Sequence, residues 1–224
     1  MRGEFLIFGH RGSPRRHPEN TTDSFEAAIA AGADGFETDL RLLSDDTAVL
    51  FHDDELAGDS IESLTAIEVA GRGAKIQLVS DLARFAGRTK MILEVKRSKW
   101  EEVLLSCIEG WPDVVVASFD HSTVAELVRR KPSLEVGITI HGSMIDVASY
   151  ASRIGAQWVY PQYRFVDAAM VESLMTCGIR VVPWAPNRVA EWEWLRQIGC
   201  AGVITDVPEE AIAWRAAWPA LHKD

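Results

Sequence analysis

The sequence predicts a single (β/α)8 TIM barrel, of class α/β, on three observations. Short β-branched runs recur about every 22 residues through the second half, a period that fits one strand, one helix of about 11 residues and two short loops. Amphipathic stretches alternate with these runs, as a parallel sheet requires. Two earlier strands bring the number to eight, which closes a barrel, and 224 residues lie near the lower end for one.

The first strand is expected at 5–9, ending on His10 and Arg11. A Thr/Asp-rich cap, Thr21-Thr22-Asp23, precedes a helix at about 24–31. The second strand covers 35–40. The next apolar run, 48–51, follows too soon for a parallel crossover and must return as a hairpin. With Asp45-Asp46 as its turn, His52 falls opposite Asp39. An insertion at about 53–80 follows, in which Gly58, Gly71 and Gly73 mark loose turns. The remaining strands are expected at 91–95, 114–116, 135–140, 158–159, 180–182 and 202–204. Helical patterns at 123–130 and 167–175 lie between them, and Gly155, Gly178 and Gly199 each end a helix before the next strand. No linker divides the chain, so residues 1–224 read as one domain.

Composition bounds the function. Hydrophobic residues make up 47%, enough for one large core. A net charge of -10 and a pI of about 5.1 repel nucleic acid and anionic membranes over most of the surface. An anionic substrate must therefore be held by local positive charge inside a pocket. Cys107, Cys177 and Cys200 have no zinc-type spacing and read as buried apolar residues of a reduced compartment. The opening residues do not read as a signal peptide, the Asn20-Thr21-Thr22 sequon carries little weight without one, and no apolar run approaches spanning length. A cytoplasmic location without stable membrane insertion is expected; oligomeric state is not legible.

Active sites of such barrels lie at the C-terminal ends of the strands. Glu37, Asp39 and Glu94 interrupt otherwise apolar strands, and buried polar groups are costly unless paired or bound to metal. Glu37-x-Asp39 puts two carboxylates on one face of a strand, and Glu94 on the neighbouring strand can join them. Oxygen-only ligands favour Mg2+ or Ca2+ over zinc. The bland alternative is three solvated acids at loop ends. His10 and His52 are the candidate acid and base, since imidazole titrates near neutrality. Arg11 and Lys96 suit the non-bridging oxygens of a phosphate, although Lys96 also suits a simple ion pair with Glu94. Asp206 ends the eighth strand and Trp184 the seventh, where Trp184 fills the upper barrel or forms an apolar wall. His17, His121 and His222 read as structural, and His141 stands near enough to the fifth strand's end to reach the mouth. Trp192 and Trp194 read as helix packing or surface. Gly71-Arg72-Gly73 is too short for a phosphate loop, and H-x-H, H-E-x-x-H and G-x-S-x-G patterns are missing.

Taken in order, these segments resemble the glycerophosphodiester phosphodiesterase family. His10-Arg11-Gly12, Pro18-Glu19-Asn20-Thr21, Glu37-x-Asp39 and His52-Asp53 follow that family's N-terminal pattern. Leu93-Glu94-Val95-Lys96, Ser118-Phe119-Asp120, Val182-Pro183-Trp184 and Gly202-Val203-Ile204-Thr205-Asp206 continue it, over most of the chain. The resemblance implies Glu37, Asp39 and Glu94 as ligands of a divalent cation and His10 and His52 as the acid–base pair. It implies Arg11 and Lys96 as phosphate contacts, Glu19 and Asn20 as supports of the first loop, and Trp184 on the glycerol side. The expected activity is hydrolysis of a small phosphodiester to an alcohol and glycerol 3-phosphate, with His10 favoured as base and His52 as acid. A lysophospholipase D, a phosphoinositide-type phosphodiesterase and a non-catalytic phosphodiester-binding module are the alternatives. The insertion departs from the family, reading Asp54-Glu55-Leu56-Ala57-Gly58 and later Gln77-Leu78-Val79-Ser80-Asp81-Leu82, and this leaves the leaving alcohol open.

Overall fold

The structure, a computed structural model, describes residues 4–221; His222 lies outside them. In chain order the elements are β1 (Leu6–His10), α1 (Thr22–Ala30), β2 (Gly35–Leu42), β3 (Ala48–Leu50), β4 (Glu55–Leu56), β5 (Asp59–Ser60), α2 (Ala66–Gly71) and β6 (Gln77–Leu78). Then come β7 (Lys90–Val95), α3 (Glu101–Cys107), β8 (Val114–Ser118), α4 (His121–Arg130), β9 (Glu135–Ile140) and α5 (Val147–Ile154). The chain ends with β10 (Trp158–Pro161), α6 (Ala168–Thr176), β11 (Arg180–Val181), α7 (Val189–Gln197), β12 (Gly202–Thr205) and α8 (Pro208–Leu221).

Eight strands run parallel in the order β11, β10, β9, β8, β7, β2, β1, β12. The two ends of that row meet. Ala201 N–H donates to the Val181 carbonyl at 2.8 Å, Ile204 N–H donates to the Pro183 carbonyl at 2.9 Å, and Trp184 bridges to Ile204 in parallel register. Pro183 has no N–H to give, which thins the ladder at this seam without opening it. The expected barrel is the fold.

Side chains alternate along each strand, so the cylinder has two cores. Phe8, Ile92, Val115, Trp158, Tyr160, Val182 and Ile204 fill its interior, while the larger outer core packs the other strand face against the helices. Each large interior side chain contributes roughly 1.5–3 kcal/mol by leaving water. Gly137 on β9 makes room for one of them: a Cβ there would stand 2.4 Å from the Tyr160 ring.

Helix ends follow side-chain chemistry. The Thr21 hydroxyl accepts from Ser24 N–H and starts α1 at Thr22, two residues before the expected start. Gly155, Gly178 and Gly199 follow helices with φ of +88°, +73° and +100°, a conformation glycine adopts without a Cβ clash. Cys177 corrects an expectation. It caps α6 and is exposed, because that cap faces outward, whereas Cys200 is buried.

Two further differences concern the insertion. β2 runs on past Asp39 to Leu42 and pairs antiparallel with β3, Leu40 opposite Leu50 and Leu42 opposite Ala48. The loop holds three residues, Ser44 to Asp46, with Asp46 left-handed at φ +61°; Leu43 N–H donates to the Thr47 carbonyl at 2.9 Å. A turn with a left-handed third residue shifts the register by one relative to the two-residue turn expected. Phe51, not His52, therefore faces Asp39, and its N–H donates to the Asp39 carbonyl at 3.0 Å. Beyond it lie the β4–β5 hairpin, α2 and β6, with a separate small core of Leu43, Val49, Ile61, Leu64 and Val69.

Candidate active site

A tight turn opens the site. Gly12 N–H donates to the Gly9 carbonyl at 3.2 Å, Arg11 is left-handed at φ +53° and Gly12 at +88°. A Cβ on Gly9 would stand 2.2 Å from the Gly12 carbonyl oxygen, so only glycine lets the backbone fold this tightly. The turn aims His10 and Arg11 inward over the C-terminal rim.

There a cavity of about 150 Å³ is lined by His10, Arg11, Glu37, Asp39, His52, Glu94, Lys96 and Trp184. Every residue expected to do chemistry thus borders one space. Register explains the convergence: His10 pairs with Glu37 across β1–β2, and Asp39 pairs with Glu94 across β2–β7. A larger cavity, about 870 Å³, opens around Phe5, Arg180 and Cys200, where no acid–base cluster gathers.

Glu37, Asp39 and Glu94 are all buried. Burial pushes the Glu37 carboxyl up to about 8, aided by the charges of Asp39 and Glu94. Burial also acts on Asp39, but Lys96 and Arg11 outweigh it and hold that carboxylate below its ordinary range. Lys96 Nζ lies 2.7 Å from Asp39 Oδ1 and also contacts Glu94 Oε1, so its ammonium bridges the two acids. Arg11 Nε stands 3.1 Å from Asp39 Oδ2, out of line for a hydrogen bond but in range for an ion pair. Its Nη1 donates to Glu19 at 3.0 Å, and its backbone N–H to Glu37 Oε2 at 3.1 Å. Both cations expected at a phosphate are therefore tied to carboxylates.

Three buried carboxylates make up the donor set that a divalent cation would meet. Its chemistry suits a hard ion: the ligand atoms are carboxylate oxygens, and Glu37 is pushed toward its neutral form where positive charge would ionise it. Its present arrangement does not, because among the described residues no three His, Cys, Asp or Glu side chains are gathered to hold an ion. The Lys96 ammonium already bridges two of the three acids.

Both imidazoles are held through Nδ1. His10 Nδ1 lies 2.6 Å from Asp206 Oδ1, and His52 Nδ1 lies 2.8 Å from Asp53 Oδ1. Burial pulls the His10 pKa down, yet the Asp206 hydrogen bond and the Glu37 charge outweigh it and raise it above the ordinary value. His10 Nε2 stands 3.9 Å from Glu37 Oε2. His52 is held from behind: the buried Arg41 guanidinium donates to the His52 carbonyl at 2.8 Å and to Asp54 and Glu62 at 2.7 and 2.9 Å.

Asn20, buried and left-handed at φ +55°, donates from Nδ2 to Asp39 at 2.9 Å and accepts from the Thr38 hydroxyl at 2.8 Å. Trp184 Nε1 donates to the Tyr160 carbonyl at 2.9 Å. His141 stacks beside Trp184, centroids 5.9 Å apart, while His121 is consumed by Tyr150 and the Thr139 carbonyl. Trp192 is buried in packing and Trp194 is exposed.

Sequence reasoning assigned no role to four residues here. Asp206 enters the sequence reading as a strand end and as the last residue of a family-like segment, without a role; Asn187 completes its hold, donating to Asp206 Oδ2 at 2.7 Å. Arg41 carried a legible signal, a cation inside an apolar strand, which went unread. Tyr160 lines the cavity, and its buried hydroxyl has no hydrogen-bond partner; nothing in the pattern of β10 distinguished it from core.

The glycerophosphoryl diester phosphodiesterase family matches residues 10–104 and 87–210. A glycerophosphodiester phosphodiesterase of Caldanaerobacter subterraneus is 26% identical over 92% of this chain and 96% of its own length. One from Bacillus altitudinis is 25% identical over 93% and 97%. Among solved structures, a Silicibacter pomeroyi putative glycerophosphoryl diester phosphodiesterase has a TM-score of 0.88 at 19% identity, covering 97% of this chain and 95% of that one. An Oleispira antarctica phosphodiesterase in complex with the product sn-glycerol-3-phosphate has a TM-score of 0.83 at 20% identity, covering 93% and 96%.

Proposed function

This chain belongs to the glycerophosphoryl diester phosphodiesterase family, and from that premise we propose that it hydrolyses glycerophosphodiesters to an alcohol and glycerol 3-phosphate with His10 and His52 as its acid–base pair. The observation that carries the reading is the shared cavity. Two carboxylate-held imidazoles, two cations and a buried acidic shell border one small space at the rim where barrels do chemistry.

Arg11 and Lys96 bind the non-bridging phosphate oxygens, exchanging part of their hold on Asp39 for the substrate's charge. With Nδ1–H of His10 directed at Asp206, Nε2 is left to take a proton from the nucleophile. His52, likewise held at Nδ1, gives its Nε2 proton to the departing alkoxide as the bond from phosphorus to that oxygen breaks. The nucleophile is water, or the glycerol 2-hydroxyl by way of a cyclic phosphate that water then opens. Trp184 packs against the glycerol. Glu37, Asp39 and Glu94 would be the residues to hold a divalent cation, Mg2+ or Ca2+ by their oxygen chemistry, and such an ion would supply charge neutralisation to the phosphodiester.

Among the described residues no helix is long and apolar enough to cross a membrane. That and the unpaired cysteines support a cytoplasmic location, with the chain working as one domain on a small-molecule substrate and not on nucleic acid.

Release of glycerol 3-phosphate from glycerophosphocholine, with added Mg2+ or Ca2+ and with EDTA, tests the proposal. EDTA abolishes release, and H10A and H52A each lose at least about 10²-fold in turnover. Normal turnover in both variants would end the acid–base assignment, and no release with any divalent cation would leave a binding module.

A further inference from the structure

His52 stands at the start of the insertion, outside the cylinder, and the fold has to hold it over the rim. Its ring is held through Nδ1 by Asp53, an exposed carboxylate. Its backbone is held more firmly. Arg41, buried, follows Glu37 and Asp39 at strand spacing on β2 and donates from Nε and Nη2 to the His52 carbonyl at 3.3 and 2.8 Å. Nη1 of the same guanidinium donates to Glu62 Oε1 at 2.9 Å. Glu62 has a second partner. Its Oε2 lies 2.8 Å from Nε of Arg97, the residue after Lys96 beyond the end of β7.

One carboxylate thus spans two cations from neighbouring parallel strands, β2 and β7. It is also tied to the segment that carries His52. Ile61 N–H donates to the Asp54 carbonyl at 3.0 Å and closes the β4–β5 hairpin at its base, with Glu62 one residue beyond. The insertion has cohesion without this clamp. Ile61 and Leu64 are buried in its own core with Leu43, Val49 and Val69, and β3 pairs with β2. The Arg97 side chain is 58% exposed, and an ion pair so open to water contributes little stability. What the pair fixes is a distance, from the strand that carries Glu94 to the loop that carries His52. Misplacing a catalytic group by about 1 Å can cost about 10²-fold in rate.

We propose that Glu62 is a positioning residue for the general acid: held between Arg41 and Arg97, it sets where His52 stands over the rim. The inference rests on the proposed function, which makes His52 the acid, and it confines the effect of Glu62 to one half of the reaction. Arg11 and Lys96 at the phosphate and His10 at the nucleophile are carried by the barrel strands and the first loop, and their placement does not pass through the insertion. A leaving group that departs as a stable anion needs no proton, and so needs neither His52 nor the clamp behind it.

The test compares two diesters of glycerol 3-phosphate, using the full chain with Mg2+ or Ca2+. One is glycerophosphocholine, whose alkoxide must be protonated; the other is the p-nitrophenyl ester, whose phenolate leaves without a proton. H52A is the reference for a lost acid, losing the first substrate and sparing the second. E62A and R97A are expected to lower kcat for glycerophosphocholine by about 10-fold with KM little changed, while turnover of the p-nitrophenyl ester stays within about twofold of wild type. R97A removes an exposed side chain and leaves Arg41 paired, so it reads the clamp even where E62A folds poorly. R97K, which keeps the charge, recovers part of the loss. Equal losses on both diesters in R97A, or no loss on either, overturn the clamp and leave the proposed function standing as long as H52A spares the ester. H52A losing both diesters alike overturns the acid assignment itself, and the clamp with it.

Discussion

Asp206 Oδ1 lies 2.6 Å from His10 Nδ1, joining the last barrel strand to the first. The carboxylate fixes which ring nitrogen carries the proton, and Asn187 holds the carboxylate from its other oxygen at 2.7 Å. D206N keeps the shape and loses the charge. Its kcat is expected to fall by about 10- to 100-fold with KM little changed, and D206E to recover part of it, in steady-state glycerol 3-phosphate release.

The same pair shapes acid stability. Burial opposes the Asp206 carboxylate, but the His10 hydrogen bond and charge, with the Asn187 amide, hold it below its ordinary value of 3.8. A carboxyl depressed in the folded state contributes stability fully above the unfolded value and loses it as pH falls through the folded one. Thermal melts between about pH 5 and pH 3 should therefore show a steeper decline for wild type than for D206N. Parallel declines would sink the linkage.

Tyr160 borders the cavity, and its buried hydroxyl has no hydrogen-bond partner. Leaving such a group unpaired is costly, and removing it relieves the cost. Y160F should melt no lower than wild type, gaining up to about 1 kcal/mol, with KM for glycerophosphocholine little changed. A loss of stability would show that the hydroxyl has a partner in solution.

Gly9 admits no side chain, since a Cβ would stand 2.2 Å from the Gly12 carbonyl. G9A should cost at least about 2 kcal/mol in denaturant unfolding and cut activity with it. The effect on activity is larger than that of any surface Gly→Ala change such as G71A, where the added methyl meets nothing.

The three thiols should separate by access. Cys177 is exposed, and burial pushes the Cys200 thiol up to about 12. Iodoacetamide on the native chain should label Cys177 first and leave Cys200 untouched until unfolding, read by peptide mass.

The barrel was legible because its signal is periodic and redundant: losing one strand from the reading would still have left seven. The convergence of His10, Glu37, Asp39 and Glu94 was legible for a related reason, since strand ends share one rim. What failed depended on single backbone angles. One left-handed residue, Asp46, moved the ribbon register by one and exchanged Phe51 for His52 opposite Asp39. The Lys96–Glu94 ion pair was legible from their spacing of two, whereas the Asp39 carboxylate that holds both Arg11 and Lys96 follows from side-chain packing that no spacing records. Tyr160 illustrates the same gap, because whether a core tyrosine finds a partner is decided by its neighbours in space.

The ribbon after β2 has its own small core and joins the barrel by the β2–β3 pairing, with the buried Arg41 guanidinium tying His52, Asp54 and Glu62 to that strand. Two levels of cohesion in one chain mean two escape routes from the native state. Amides at Leu56 and Ala70 should exchange with solvent through excursions that leave Ile92 and Val115 protected. His52 rides on the less secure of the two, so half of the proposed acid–base pair can be withdrawn and returned without disturbing the cylinder that holds the other half.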